Sequence, residues 1–241
     1  MRALISKEIQ GFLGSLIGHL VIVVFLLLTG LFLWVFPGNI LDTGYAELGP
    51  LFQVAPWVFL FLVPAVTMRS FSEERRTGTI ELLLTKPITD LRLVLGKYLA
   101  AVVLVLLALL PTAVYWYSIG SLAVPDWNID QGSILGSYIG LFFLASTFAA
   151  MGIFASALTE SQIVAFLIAA LLCFILYLGF DLAADFSSIG ALEGPVKNLG
   201  IQQHYASMSR GVIDLRDVLY FLGVDAIFIL ATRTVVQSRT W

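Results

Sequence analysis

Six long apolar runs constrain this chain more than any other feature. A helix needs about 20 mainly apolar residues to cross a hydrocarbon core about 30 Å thick. Segments 16–36, 51–68, 98–118, 133–158, 163–181 and 218–236 all meet that requirement. Hydrophobic residues make up 59% of the 241 positions and charged residues 12%, against about 25% charged in soluble domains. A soluble fold cannot hide so much apolar surface, because its own exterior must stay polar. The chain therefore reads as an all-α polytopic membrane protein with six transmembrane helices, forming one transmembrane domain over 1–241. Residues 1–14, with Arg2, Lys7 and Glu8, lead into an apolar run too long for a signal-peptide core, so that run is expected to stay as an anchor.

Lysine and arginine placement sets the expected orientation. With the N-terminus inside, the inner segments hold Arg2, Lys7, Arg69, Arg75, Arg76, Lys86, Arg92, Lys97, Arg233 and Arg239, ten of the 13 basic residues, and the outer ones hold only Lys197, Arg210 and Arg216. The first two outer loops, 37–50 and 119–132, contain Asp42, Glu47, Asp126 and Asp130 and no basic residue. Both termini of this multi-pass chain are thus expected in the cytoplasm. Trp34, Trp57, Trp116 and Trp127 fall near the outer ends, where indole rings favour the interface.

Two further segments are expected to touch the membrane without crossing it. Leu4, Ile5, Ile9, Phe12, Leu13 and Leu16 recur at three- and four-residue steps, with Lys7, Glu8 and Gln10 on the other side. This pattern predicts an N-terminal amphipathic interfacial helix, or alternatively a plain extension of the first span. The outer loop 182–217 carries scattered aliphatics among Gly and Ser and is expected to form short helices over the outer mouth.

The inner loop 69–97, RSFSEERRTGTIELLLTKPITDLRLVLGK, carries the most information. Ser70 to Glu73 fits a capping box that would start a short helix. Thr77, Gly78 and Thr79 break the chain, Pro87 ends the apolar turn and a half over 80–84, and Thr89 with Asp90 caps the next helix. Four aliphatics, Ile80, Leu82, Leu83 and Leu84, would cost about 25 cal/mol per Å² if left in water. Either a partner groove covers them, or the segment re-enters the interface and packs on its own spans.

The loop resembles the permease subunits of type-2 ABC exporters, where the pattern Glu-Arg-x-x-Gly-Thr-Ile-Glu-Leu-Leu-Leu-Thr-x-Pro-Ile followed by Leu-Gly-Lys recurs. Here it runs from Glu74 and Arg75 through Gly78, Thr79, Ile80, Glu81, Leu82, Leu83, Leu84, Thr85, Pro87 and Ile88 to Leu95, Gly96 and Lys97. The strings GLFLWVF (30–36), APW (55–57), PAVTMRSFS (64–72), GSYIGL (136–141) and ESQIVAF (160–166) more closely resemble the gliding-motility-associated ABC permease subunit of Bacteroidetes. The resemblance implies a single permease domain in the inner membrane of a bacterium. It also implies work with a cytoplasmic ABC ATPase dimer and with a second permease copy or a paralogous membrane subunit. A cytoplasmic coupling helix is implied at residues 79–85. In it Leu82 and Leu83 fill the ATPase groove and Glu81 pairs with a basic group, while Arg75, Arg76 and Lys86 ring the contact. Gly78 supplies the turn and Pro87 the exit. ATP and Mg²⁺ would sit on the partner; the chain has no Gly-x-x-x-x-Gly-Lys-Ser/Thr loop and is expected to bind no cofactor itself. Membrane lipid is an expected partner and nucleic acid is not. The alternative function is a structural anchor of a motility or secretion complex that moves no solute.

Asp225 is the one carboxylate expected well inside a span, which makes it a candidate for lining a cavity or binding a polar group on a neighbouring span. The small-residue spacings Gly14/Gly18 and Gly132/Gly136/Gly140 suit either a dimer contact or packing within one chain. Cys173 reads as a packing residue. His19 and His204 do not form a metal-ligand spacing, and neither Gly14-Ser15 nor Gly136-Ser137 has a histidine partner for serine-protease chemistry.

Overall fold

The computed structural model describes residues 2–80, 88–186 and 193–238, and its elements among these are helical. Helix α1 (Arg2–Leu13) precedes the first span, α2 (Leu16–Trp34). A short α3 (Ile40–Thr43) leads to the second span, α4 (Gly49–Thr67), and then to α5 (Ser72–Arg76). The third span is α6 (Asp90–Leu109), a 3₁₀ turn (Leu110–Thr112) and α7 (Ala113–Leu122). The fourth is α8 (Gln131–Leu158). The fifth joins α9 (Gln162–Phe174), a π-helical turn (Ile175–Gly179) and α10 (Phe180–Phe186). Beyond it lie α11 (Glu193–Lys197), α12 (Ile201–Met208) and the last span, α13 (Leu215–Gln237). Six helices are therefore long and apolar enough to cross a membrane, at the positions the six runs predict. At 1.5 Å per residue, even the 19 residues of α2 reach about 28 Å.

Helix α8 is the axis of the bundle: 78% of its apolar window is buried, against 17% for α13. Spans α4, α6, α9 and α13 all pack on it. Small side chains make this possible. A Cβ at Gly152 would come within 2.0 Å of Thr67 Oγ1, and Ala145, Ala149, Ala155 and Ala157 are also buried along α8. Gly136 and Gly140, candidates for a dimer contact, are filled from within the chain instead: a Cβ at Gly136 would meet the backbone of Gly211 and Met208, and one at Gly140 the Met208 and Tyr205 side chains. Gly18 likewise lies against Phe12.

The prolines behave as membrane helices allow. Pro56 has no N–H to give the carbonyl of Phe52, and the Tyr205 hydroxyl donates to that carbonyl at 2.7 Å. Helix α12, which carries Tyr205, thus closes over one end of the bundle as the aliphatics of 182–217 predict. His204 holds it to the start of α13: its Nδ1 lies 2.7 Å from Asp217 Oδ1, Nε2 lies 2.9 Å from the Asn198 carbonyl, and the ring stacks on Tyr220. Pro111 coincides with the 3₁₀ turn in the third span, the local tightening expected where the helical ladder is interrupted.

The capping box expected at Ser70 does not form. Phe71 occupies the cap position of α5 without a side-chain cap bond. A serine distant in sequence takes its place: Ser156 Oγ on α8 accepts from the N–H groups of Phe71 (2.9 Å) and Ser72 (3.1 Å) and donates to Met68 O. The Ser72 hydroxyl turns back to the same Met68 carbonyl.

Since the α4–α8 contact depends on a missing Cβ, Gly152→Ala should lower stability by about 1–3 kcal/mol through overpacking. Thermal unfolding in detergent reads this loss, and Thr67→Ala should restore part of it.

Candidate functional site

At the end of the bundle where α1, the 69–80 segment and the start of α6 converge, four charges meet in a largely buried cluster. Lys97, about two turns into α6, is the centre, and its side chain is 0% exposed. Its Nζ lies 2.9 Å from Glu8 Oε1 on α1, 2.8 Å from Glu74 Oε2 on α5 and 2.5 Å from the Ser70 carbonyl, and sits 5.0 Å from the centre of the Phe71 ring. Lys7 completes the set with a 3.0 Å bond to Glu74 Oε1. Two lysines and two glutamates balance, which is what a buried charge requires. The 2.8 Å contact to Glu74 Oε2 lacks hydrogen-bond direction, and that oxygen has no hydrogen-bond donor, so attraction there is ionic.

Local sequence explains why these groups face one another. Leu4 and Glu8 are one turn apart on α1, so the turn that buries Leu4 against Gly96 also points Glu8 at Lys97. A Cβ on Gly96 would stand 2.6 Å from Leu4 Cδ2; glycine there lets α1 lie close on α6. The amphipathic helix therefore exists as expected, but Lys7 and Glu8 are not its free polar side. Both reach into the cluster.

Burial alone would lower the pKa of Lys7, yet its hydrogen bond and attraction to Glu74, with Glu8 beside it, raise it above the usual lysine value. A raised folded-state pKa means that the contribution of Lys7 to stability is complete below the unfolded value near 10.5 and is lost as pH climbs past the folded one.

Beside the cluster, the 72–80 segment adopts the turn that the sequence predicts. Helix α5 ends at Thr77, Gly78 takes the left-handed φ of +69°, and its N–H bonds the Arg75 carbonyl at 3.1 Å. Arg75 Nη1 donates to the Ala157 carbonyl at 2.5 Å, while Arg76, Gly78 and Thr79 are exposed. Ile80 departs from expectation: instead of facing a partner, it is 5% exposed in a small core with Leu4, Phe71, Leu93, Val94, Ile153 and Val236. Its β-branched side chain is the anchor that follows the Gly78 turn. Glu81, Leu82, Leu83, Leu84, Thr85, Lys86 and Pro87, the rest of the expected coupling helix, lie outside the described residues. The chain re-enters at Ile88, and Thr89 caps α6 by accepting from Arg92 N–H at 3.4 Å.

Asp225 is also enclosed. It is 3% exposed, and its carboxylate accepts from Ser146 (2.5 Å) and Tyr98 (2.8 Å) through one oxygen and from Thr147 (2.7 Å) through the other. Of the two expectations for it, lining a cavity or binding a polar group on a neighbouring span, the structure shows the second: Asp225 ties α13 to α6 and α8 through three hydroxyls. The sequence singles out the acid but not its partners, because no spacing links positions 98, 146 and 225. The roles of Lys7, Glu8, Glu74 and Lys97 escape a sequence reading for the same reason, although equal numbers of opposite charges near helix starts are a usable signal.

The family model for "ABC-2 family transporter protein" matches residues 56–208. The chain belongs to the ABC-2 transporter family. That match runs from the middle of α4 through the 69–97 segment and α8 to the end of α12, so the six-helix bundle is the membrane permease of an ABC transporter. No curated protein matches the chain.

Lys97→Met should deprive Glu8 of its closest cation, leave Glu74 with Lys7 alone and loosen α1, at a cost of about 3 kcal/mol. Hydrogen exchange over residues 2–13 should accelerate in that variant while α8 stays protected.

Proposed function

We propose that this ABC-2 permease couples ATP hydrolysis by a separate cytoplasmic ATPase to movement of its spans, and that segment 79–87 is where the ATPase engages. The observation that carries this reading is the fixing of both flanks of that segment. Upstream, Gly78 turns the chain out and Ile80 plugs it into the core. Downstream, Thr89 starts α6 and Lys97 locks that helix to α1 and α5. A push on residues between two fixed flanks is delivered to the third span and the α4–α5 junction, with no slack to absorb it. Leu82, Leu83 and Leu84 remain the aliphatics for an ATPase groove; Glu81, Lys86, Arg76 and Thr79 supply polar contacts around it, and Pro87 fixes the exit.

In this reading both termini and the charged cluster are cytoplasmic, in accord with the ten inner basic residues. The membrane is the inner membrane of a bacterium. Two permease subunits, identical or paralogous, form the transport unit with an ATPase dimer, since six spans of which several are largely exposed provide one half of a path. The strings at 30–36, 64–72 and 160–166 support a role with gliding or surface machinery, served by export or by ATP-driven assembly.

Leu83→Asp should abolish co-purification of the ATPase from native membranes in mild detergent, whereas Lys97→Met should retain the ATPase but lose its stimulation by the permease. An ATPase that still co-purifies with Leu83→Asp would remove residues 79–87 from the contact. Wild type that brings down no ATPase would favour the anchor reading.

A further inference from the structure

A cavity of about 450 Å³ opens beside the charged cluster, between α1, the end of α4 and α6. Its lining is of two kinds. Phe12, Ile17, Val66 and Leu104 supply apolar surface, and Arg69 and Glu73 are among its charged residues. The cluster of Lys7, Glu8, Glu74 and Lys97 also borders the cavity, but its charges cancel internally. Arg69 and Glu73 have no such compensation. Neither forms an ion pair among the described residues, with each other or with the cluster, and Arg69 Nε is buried without an acceptor. They lie one helical turn apart, joined by the Glu73 N–H to Arg69 carbonyl bond.

A buried donor without an acceptor and a partly exposed carboxylate without a cation, one turn apart in the same cavity, suit a ligand carrying both opposite charges. An anion alone would meet Arg69 and be repelled by Glu73. A headgroup with a phosphate and a primary ammonium on a two-carbon link answers both: the phosphate accepts from the guanidinium, and the ammonium donates to the carboxylate. A quaternary ammonium has no N–H to donate. Ile17 and Leu104 put apolar lining on spans α2 and α6, where the acyl chains of such a molecule would lie. We propose that this cavity binds a phosphoethanolamine-headed phospholipid, its phosphate on Arg69 and its ammonium on Glu73. The inference rests on the chain spanning a membrane and is independent of how the ATPase docks.

The test uses the full chain, delipidated in detergent and titrated with dilauroyl phosphatidylethanolamine, phosphatidylcholine or phosphatidylglycerol, with bound lipid counted by native mass spectrometry. The ethanolamine lipid should bind about tenfold more tightly than the other two, as one charge-assisted hydrogen bond would give. Glu73→Gln should erase that preference, whereas Arg69→Gln should weaken binding of all three lipids about tenfold, a loss that Arg69→Lys should largely avoid. Thermal unfolding without lipid checks that each variant is folded. If one variant fails to fold, wild-type selectivity and the other variant decide. Equal binding of all three lipids, a preference for phosphatidylglycerol, or selectivity that survives Glu73→Gln would overturn the proposal. Soluble O-phosphoethanolamine competing as well as the lipid would overturn the lipid assignment in favour of a soluble ligand.

Discussion

A lysine with no exposed side-chain surface holds together one end of this molecule. Lys97 brings an ammonium into the protein, and the cost of stripping its water is offset only because Glu8, Glu74 and the Ser70 carbonyl close around it. Glu8 comes from α1, and Glu74 with the Ser70 carbonyl from the 69–76 segment. Removing one of the charged groups leaves another uncompensated, so α1, the 69–76 segment and α6 are held as a unit by mutual need. Apolar packing of Leu4 on Gly96 and of Ile80 beside Phe71 surrounds the same point. Hydrophobic contacts alone would permit sliding between α1 and α6; the charged cluster fixes their register.

The same pairing of polar groups recurs inside the bundle. Tyr205 answers the carbonyl freed by Pro56, Ser156 caps α5, and Ser146, Thr147 and Tyr98 enclose Asp225. In each case the group is met by a hydroxyl from another helix. In a medium without water each such pairing fixes which faces of two helices meet. The apolar side chains, being interchangeable with lipid, specify much less.

Much of the fold is legible in the sequence because membrane insertion is a matter of length and hydropathy, both local properties. The six spans, the N-terminal helix, the Gly78 turn and the Thr89 cap can all be read from a few consecutive residues. What cannot be read depends on pairs far apart in the chain. Ser156 caps α5 from another helix by accepting from Phe71 and Ser72, while the N–H groups that a local box would bond, those of Ser70 and Glu73, go to the Thr67 and Arg69 carbonyls. Ile80 resembles a partner-facing residue because its neighbours Leu82, Leu83 and Leu84 share its character, and only the packing of Leu4, Leu93 and Val236 shows where it goes. Gly136 and Gly140 suit a second copy and α12 equally well by spacing, and α12 with the turn that follows it fills them.

A double-mutant cycle between Glu8→Gln and Lys97→Met, read from unfolding of the purified chain in detergent, tests most directly whether one buried lysine holds the three segments together. If it does, the two changes will be non-additive, with a coupling energy above about 1 kcal/mol. Additive losses within about 0.3–0.5 kcal/mol would mean that apolar packing alone holds α1 to α6, and that Lys97 does not fix this end of the protein.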